Sequence, residues 1–146
     1  MRIRGKWLVC NDGITRPTMR AEVQAADGSL RASVFLVDSC ADRTVFGADL
    51  LDKLDFPTPP PPADMILKGI SGECAFVLLK TVVTLTRDDG GAAEMRGEFA
   101  AFTDPSATDL SILGRDILNH FDVILSRRRN EVLLLAANHE YRVEEA

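Results

Sequence analysis

Between residues 18 and 25 apolar and polar side chains alternate, with Met19, Ala21, Val23 and Ala25 separated by Arg20, Glu22 and Gln24. A repeat of two belongs to a strand with one face on a core and the other toward water. Asp27-Gly28 follows, a pair suited to a tight hairpin. From Leu30 the chain enters a second such segment, which becomes continuously apolar at Val34-Phe35-Leu36-Val37, as expected of a strand covered on both faces. The same grammar recurs downstream. It predicts strands at residues 65–69 and 73–86 around Gly69-Ile70-Ser71-Gly72, at 93–102 after the turn Asp88-Asp89-Gly90-Gly91, at 110–113, and at 122–126 paired with 131–136. Helix is expected only at residues 48–54, where Leu50, Leu51 and Leu54 share a face before Pro57, and at 115–121. The chain is therefore all-β in class, mainly β with one or two short helices.

A length of 146 residues suits one domain with its own core, and 46% hydrophobic with 27% charged residues is the balance of a globular chain. A net charge of −5 gives no electrostatic reason for a nucleic-acid partner. Arg127-Arg128-Arg129, followed by Asn130, reads as a solvated hairpin turn. Cys10, Cys40 and Cys74 are an odd set without zinc or redox spacing, so neither a disulfide framework, a metal nor a cofactor is expected. Only a four-residue apolar stretch, Trp7-Leu8-Val9-Cys10, precedes Asn11, too short for a secretory core, and no uncharged run is long enough to span a bilayer. The expectation is a cytoplasmic protein with no membrane partner. Pro57-Thr58-Pro59-Pro60-Pro61-Pro62 reads as an extended spacer, with a proline-recognising partner as the alternative. His120 and His139 lack partners at catalytic or metal spacing and read as structural or surface residues.

Asp38 follows the apolar strand directly, in Phe35-Leu36-Val37-Asp38-Ser39-Cys40-Ala41-Asp42-Arg43-Thr44. A carboxylate at the end of a buried strand is costly unless it is hydrogen-bonded or neutralised. Taken alone, it suits a turn or a helix cap as well as a chemical role.

This segment resembles the active-site stretch of retropepsin-like aspartic proteases, where apolar residues lead into Asp-Thr/Ser-Gly-Ala-Asp/Ser. Lys68-Gly69-Ile70-Ser71-Gly72 is similar to the glycine-rich flap tip of that family. Ile112-Leu113-Gly114-Arg115-Asp116-Ile117-Leu118 is similar to the segment that leads into its short C-terminal helix. The three occur in the family's order. The resemblance implies a closed acid-protease-like barrel over residues 16–137, preceded by an N-terminal segment 1–15 and followed by a tail 138–146. It further implies Asp38 as the catalytic carboxylate, with Ser39, Cys40 and Ala41 supporting the active-site loop. Asp42, Gly69, Ile70, Ser71 and Gly72 would contact substrate, and Asp42 would form an internal ion pair with Arg115.

The chemistry of that family needs two carboxylates sharing one proton, one acting as base on a water while the other donates to the carbonyl. The chain carries one such motif. The resemblance thus implies a homodimer with one half-site per subunit, acting on a peptide or protein substrate. Cys40 stands where the family has glycine, close to the symmetry axis. The leading expectation is an aspartic endopeptidase. The alternatives are a catalytically impaired, peptide- or protein-binding dimer and an unrelated small β-barrel interaction domain.

Overall fold

A computed structural model describes residues 1–57, 66–69 and 72–136, and positions 138, 140, 142 and 144. Among these lie ten strands and two short helices: β1 (Arg2–Val9), β2 (Thr15–Gln24), β3 (Leu30–Val37), β4 (Val45–Phe46), α1 (Ala48–Leu54), β5 (Ile66–Gly69), β6 (Gly72–Thr86), β7 (Ala92–Phe102), β8 (Ser111–Leu113), α2 (Arg115–Leu118), β9 (Phe121–Ser126) and β10 (Glu131–Ala136). The strand order is β5-β6-β7-β4-β8-β3-β2-β1-β10-β9. An additional pairing of β2 with β6, Glu22 opposite Thr84 and Val23 opposite Val83, joins distant members of that order, so pairing runs round a ring from β6 through β3 and back.

The alternation in β2 works as its pattern requires, with Met19, Ala21 and Val23 buried inside the ring. They meet Phe35, Val37, Leu79, Val83, Leu85 and Phe99 in one continuous core. Phe46 stands between Phe35 and Phe99, with ring centroids 6.0 and 5.6 Å away. Such contacts stabilise by about 1 kcal/mol each beyond simple burial. α1 closes this core with Leu50, Leu51 and Leu54 and ends at Asp55, whose left-handed backbone stops the helix two residues before Pro57.

Two expectations are corrected. Val34 and Leu36 are only half-buried, so β3 alternates after all, with Phe35 and Val37 inward. α2 stops at Leu118 and Phe121 already begins β9, because Phe121 pairs with Ala136 and packs on the core. Residues 2–9 form a full strand of the sheet. Arg2, Ile3, Arg4 and Gly5 pair with β10, whereas Lys6, Trp7, Leu8 and Val9 pair with β2. The crossing occurs where Gly5 leaves no side chain: a Cβ there would stand 2.1 Å from the Thr18 carbonyl oxygen. The arginine run does form the turn between β9 and β10, with Asn130 at positive φ and Arg127 5.8 Å over the Trp7 ring. The proline run beyond Pro57 and His139 lie outside the described residues.

Candidate active site

A short parallel pairing brings the chemistry-bearing segments together. β3 pairs with β8, Val37 opposite Leu113, so the chain leaves both strands on the same side. The Asp38 amide donates to the Leu113 carbonyl at 3.1 Å, extending that ladder by one bond. The Asp38 carboxylate thus sits at the end of a strand whose side chains are core, yet is itself half-exposed. Its Oδ1 accepts from the Cys40 amide at 2.9 Å, and its carbonyl accepts from the Ala41 amide at 3.2 Å. A carboxylate held by a backbone donor two residues on closes a tight turn. The turn fixes the acid and leaves its second oxygen without a partner among the described residues.

Ser39 and Cys40 are exposed at the tip of this turn. Among the described non-glycine residues only Asp55 and Asn130 have positive φ. Cys40 therefore occupies ordinary backbone, and its Cβ costs no conformational strain there. Its amide bond to Asp38 is made by backbone alone and is indifferent to the side chain. The turn is tied to α2 by the Arg115 amide, which donates to the Ala41 carbonyl at 2.8 Å. The Arg115 guanidinium also pairs with the Asp42 carboxylate. In the single chain both ends of this ion pair are exposed, at 49% and 81% of the side chain, so it contributes little by itself.

A second network lies beneath the loop, and the sequence analysis missed it. Thr44 is fully buried, and both its amide and its hydroxyl donate to the Asp116 carboxylate, at 2.9 and 2.7 Å. The Thr44 hydroxyl in turn accepts from the Gly114 amide at 3.0 Å, and Asp116 Oδ1 accepts from the Ile117 amide at 2.9 Å. One carboxylate thereby caps the first turn of α2 and anchors the far end of the Asp38 loop. The available signal was a hydroxyl and an acid each standing between an arginine and an apolar residue, Arg43-Thr44-Val45 and Arg115-Asp116-Ile117, and distance in sequence concealed their pairing. Asp116→Ala strands two buried donors on Thr44 and should cost about 2–3 kcal/mol. Asp116→Asn retains one acceptor oxygen and should cost less. Denaturant melts of the two variants check the order; equal stability of Asp116→Ala and wild type contradicts the anchor.

β5 and β6 form a hairpin in which Gly69 lies opposite Gly72. Ile70 and Ser71, at its tip, lie outside the described residues. Beside its base, Phe76, Val45, Ala100 and Phe102 make a second apolar cluster, against which Cys74, Leu78 and Ile112 pack. Cys10, Cys40 and Cys74 are free thiols. Among the described residues no group of three or more His, Cys, Asp or Glu is placed to hold a metal. No helix among them is long and apolar enough to cross a membrane.

A ring of strands carrying an acid at the end of β3, beside the Gly114 segment, is the architecture of retropepsin-like aspartic proteases, and the chain has that fold. The crystal structure of a retropepsin-like aspartic protease from Rickettsia conorii aligns with a TM-score of 0.56 and 16% identity, covering 92% of this chain and 88% of that one. EIAV protease complexed with the inhibitor HBY-793 aligns with a TM-score of 0.49 and 21% identity, over 77% of this chain and 92% of that one. No protein-family model matches the chain, and no curated protein matches it.

Proposed function

We propose that the chain is one half of a homodimeric, cytoplasmic aspartic endopeptidase, in which Asp38 and the partner subunit's Asp38 share one proton and activate a water against a peptide carbonyl. The observation that carries this reading is the Asp38 turn. It holds one carboxylate oxygen on a backbone amide and leaves the other without a partner among the described residues, at the end of a strand packed into the core. A single carboxylate does half of the required chemistry, acting either as base or as acid; two in close proximity separate the roles, because like charges that near cannot both ionise. Activity should accordingly be acidic or bell-shaped in pH, reporting the pair as a unit.

In this reading Ser39, exposed beside the acid, holds the two loops together across the axis, and Ala41 supports the loop through its bond to Arg115. Asp42 offers its carboxylate to the substrate backbone while Arg115 orients it. Gly69, Ile70, Ser71 and Gly72 close over the peptide as a flap and exclude water. Residues 16–137 make up the protease-like unit, with β1 completing its sheet.

The exposed Cys40 side chain favours a second reading, a protease-like dimer that binds peptides without cutting them. The two separate by experiment. Cys40→Gly removes any crowding of the carboxylate pair, so a crowded enzyme gains turnover and an adapted one loses it. The measurement is hydrolysis of a fluorogenic peptide library across pH 4–7 by wild type and Cys40→Gly, each with and without reductant. We expect measurable turnover in wild type, changed severalfold in Cys40→Gly, and raised by reductant where thiol oxidation occurs. Absence of turnover from both proteins under every condition sinks the enzyme and leaves the binding dimer.

A further inference from the structure

A cavity of about 170 Å³ opens between the β1–β2 turn and the loop that leads into β8, lined by Asp12 and Arg16 from the turn, Leu36 from β3, and Thr108, Asp109 and Leu110 from the loop. Leu36 stands opposite Ile112 in the parallel ladder, on the face away from the core that Phe35 and Val37 fill. Asp38, two residues on, continues that ladder through its amide and belongs to the same face as Leu36. The cavity therefore lies one strand repeat, roughly 7 Å, from the candidate acid. Sites for whole small molecules usually begin at about 300 Å³, so a space of this size suits one side chain of a longer ligand.

Its charges do not balance. The two terminal nitrogens of Arg16 donate to both carboxylate oxygens of Asp12, at 2.8 and 2.6 Å, and Asp12 Oδ1 also accepts from the Ile14 amide at 3.0 Å. That arginine is engaged and its charge cancelled. Asp109 is exposed and has no hydrogen-bond or ion-pair partner among the described residues. The backbone around it is held by Thr108, whose hydroxyl donates to the Leu110 carbonyl at 2.6 Å and accepts from the Leu110 amide at 3.3 Å. One carboxylate is thus left over, above a floor made by the half-buried Leu36 and Leu110. An apolar floor beneath a single acid matches a long aliphatic stem that ends in a cation. We propose that Asp109 is a specificity-determining residue, selecting peptides that place a lysine or arginine in this cavity. The inference rests on the peptide-cleaving reading of the site and names its substrate class. Asp12 is a positioning residue, because it keeps Arg16 from cancelling the surplus charge.

The test offers peptide libraries carrying lysine, norleucine or glutamate at each position in turn to wild type, Asp109→Asn, Asp109→Arg and Asp12→Asn, with thermal melts confirming folding. Cleavage is read by mass spectrometry, and retention is read in the same way on immobilised Asp38→Asn protein with and without the Asp109 changes. At one position wild type should prefer lysine to glutamate about tenfold, and the preference should shrink as salt is raised. Asp109→Asn should lower that ratio to about twofold, Asp109→Arg should invert it, and Asp12→Asn should lower it by releasing the charge of Arg16. Glu94→Gln, on β7 and away from this cavity, should leave it unchanged. Peptides cut or retained without regard to charge, or a preference that Asp109→Arg leaves as it was, overturn the role of Asp109 and leave the peptide site standing. Retention with the preference but without cleavage supports Asp109 and removes the enzyme. Neither cleavage nor retention of any peptide overturns both.

Discussion

Replacing Asp38 by asparagine should abolish peptide turnover, by about 10³-fold or more, while leaving the fold and the dimer in place. Asparagine keeps an acceptor oxygen for the Cys40 amide, so the 2.9 Å bond that closes the turn survives. What it loses is the ability to take and return a proton, the step on which the proposed reaction turns. Replacing both acids also removes the one negative charge that the pair carries while sharing a proton, and neutralisation should not loosen the dimer. Asp38→Ala makes the useful contrast: it removes the acceptor too, so the turn loosens and stability falls by about 1 kcal/mol. Turnover measured beside sedimentation separates the outcomes. Wild-type turnover in Asp38→Asn would remove Asp38 from the chemistry altogether.

The largest effect on stability should come from Gly114→Ala. The backbone at Gly114 is extended, with φ of −98°, and forbids no residue on conformational grounds. The obstacle is space. A Cβ at this position would lie 2.4 Å from both the carbonyl carbon and the oxygen of Arg43, and 2.8 Å from the Thr44 amide nitrogen. These are backbone atoms and cannot rotate away. Either the loop between Asp38 and Thr44 moves outward or α2 does, and both break the bonds that Thr44 makes to Asp116 and Gly114. We expect a loss of about 3 kcal/mol or more and a fall of about 10 °C in melting temperature. Gly97→Ala is the control, because a Cβ there meets only the Phe99 ring, at 3.7 Å. A Gly114→Ala protein as stable as that control would show that the close approach has no energetic consequence. Activity should fall with stability in Gly114→Ala, since the displaced loop is the one that holds Asp38.

Much of this fold was legible because its signals are local. The repeat of two in β2, the Asp27-Gly28 turn and the leucine face of α1 each depend on neighbours within a few residues, and the boundaries of α1 follow the pattern residue for residue. β1 was missed because its burial alternates incompletely, with Ile3 its one fully buried residue and basic side chains around it. β4 has two residues and makes no periodic signal at all. The apolar run in β3 misled for a related reason: composition reports apolar side chains, whereas Val34 and Leu36 are left half-covered by the tertiary arrangement.

The candidate site was legible as motifs and obscure as a constellation. Asp38, Gly69 and Arg115 were each singled out in the sequence, but the Thr44–Asp116 network joins residues 72 apart and no spacing rule announces it. In the sequence Asp116 stands out only as part of the segment resembling the approach to a helix. Its role as an anchor depends on the parallel pairing of β3 with β8, which aligns the ends of two strands that the chain separates by more than seventy residues.

The central claim is that two copies of Asp38 make one site, and subunit mixing tests it most directly. Wild type and Asp38→Asn are combined under conditions that exchange subunits, at a constant total concentration, and turnover is followed as the wild-type fraction falls. A shared site requires both acids in the same dimer, so activity should follow the square of the wild-type fraction and reach about one quarter at an equal mixture. Activity falling in simple proportion, to about one half at that mixture, would mean that each chain works alone, and would contradict the account.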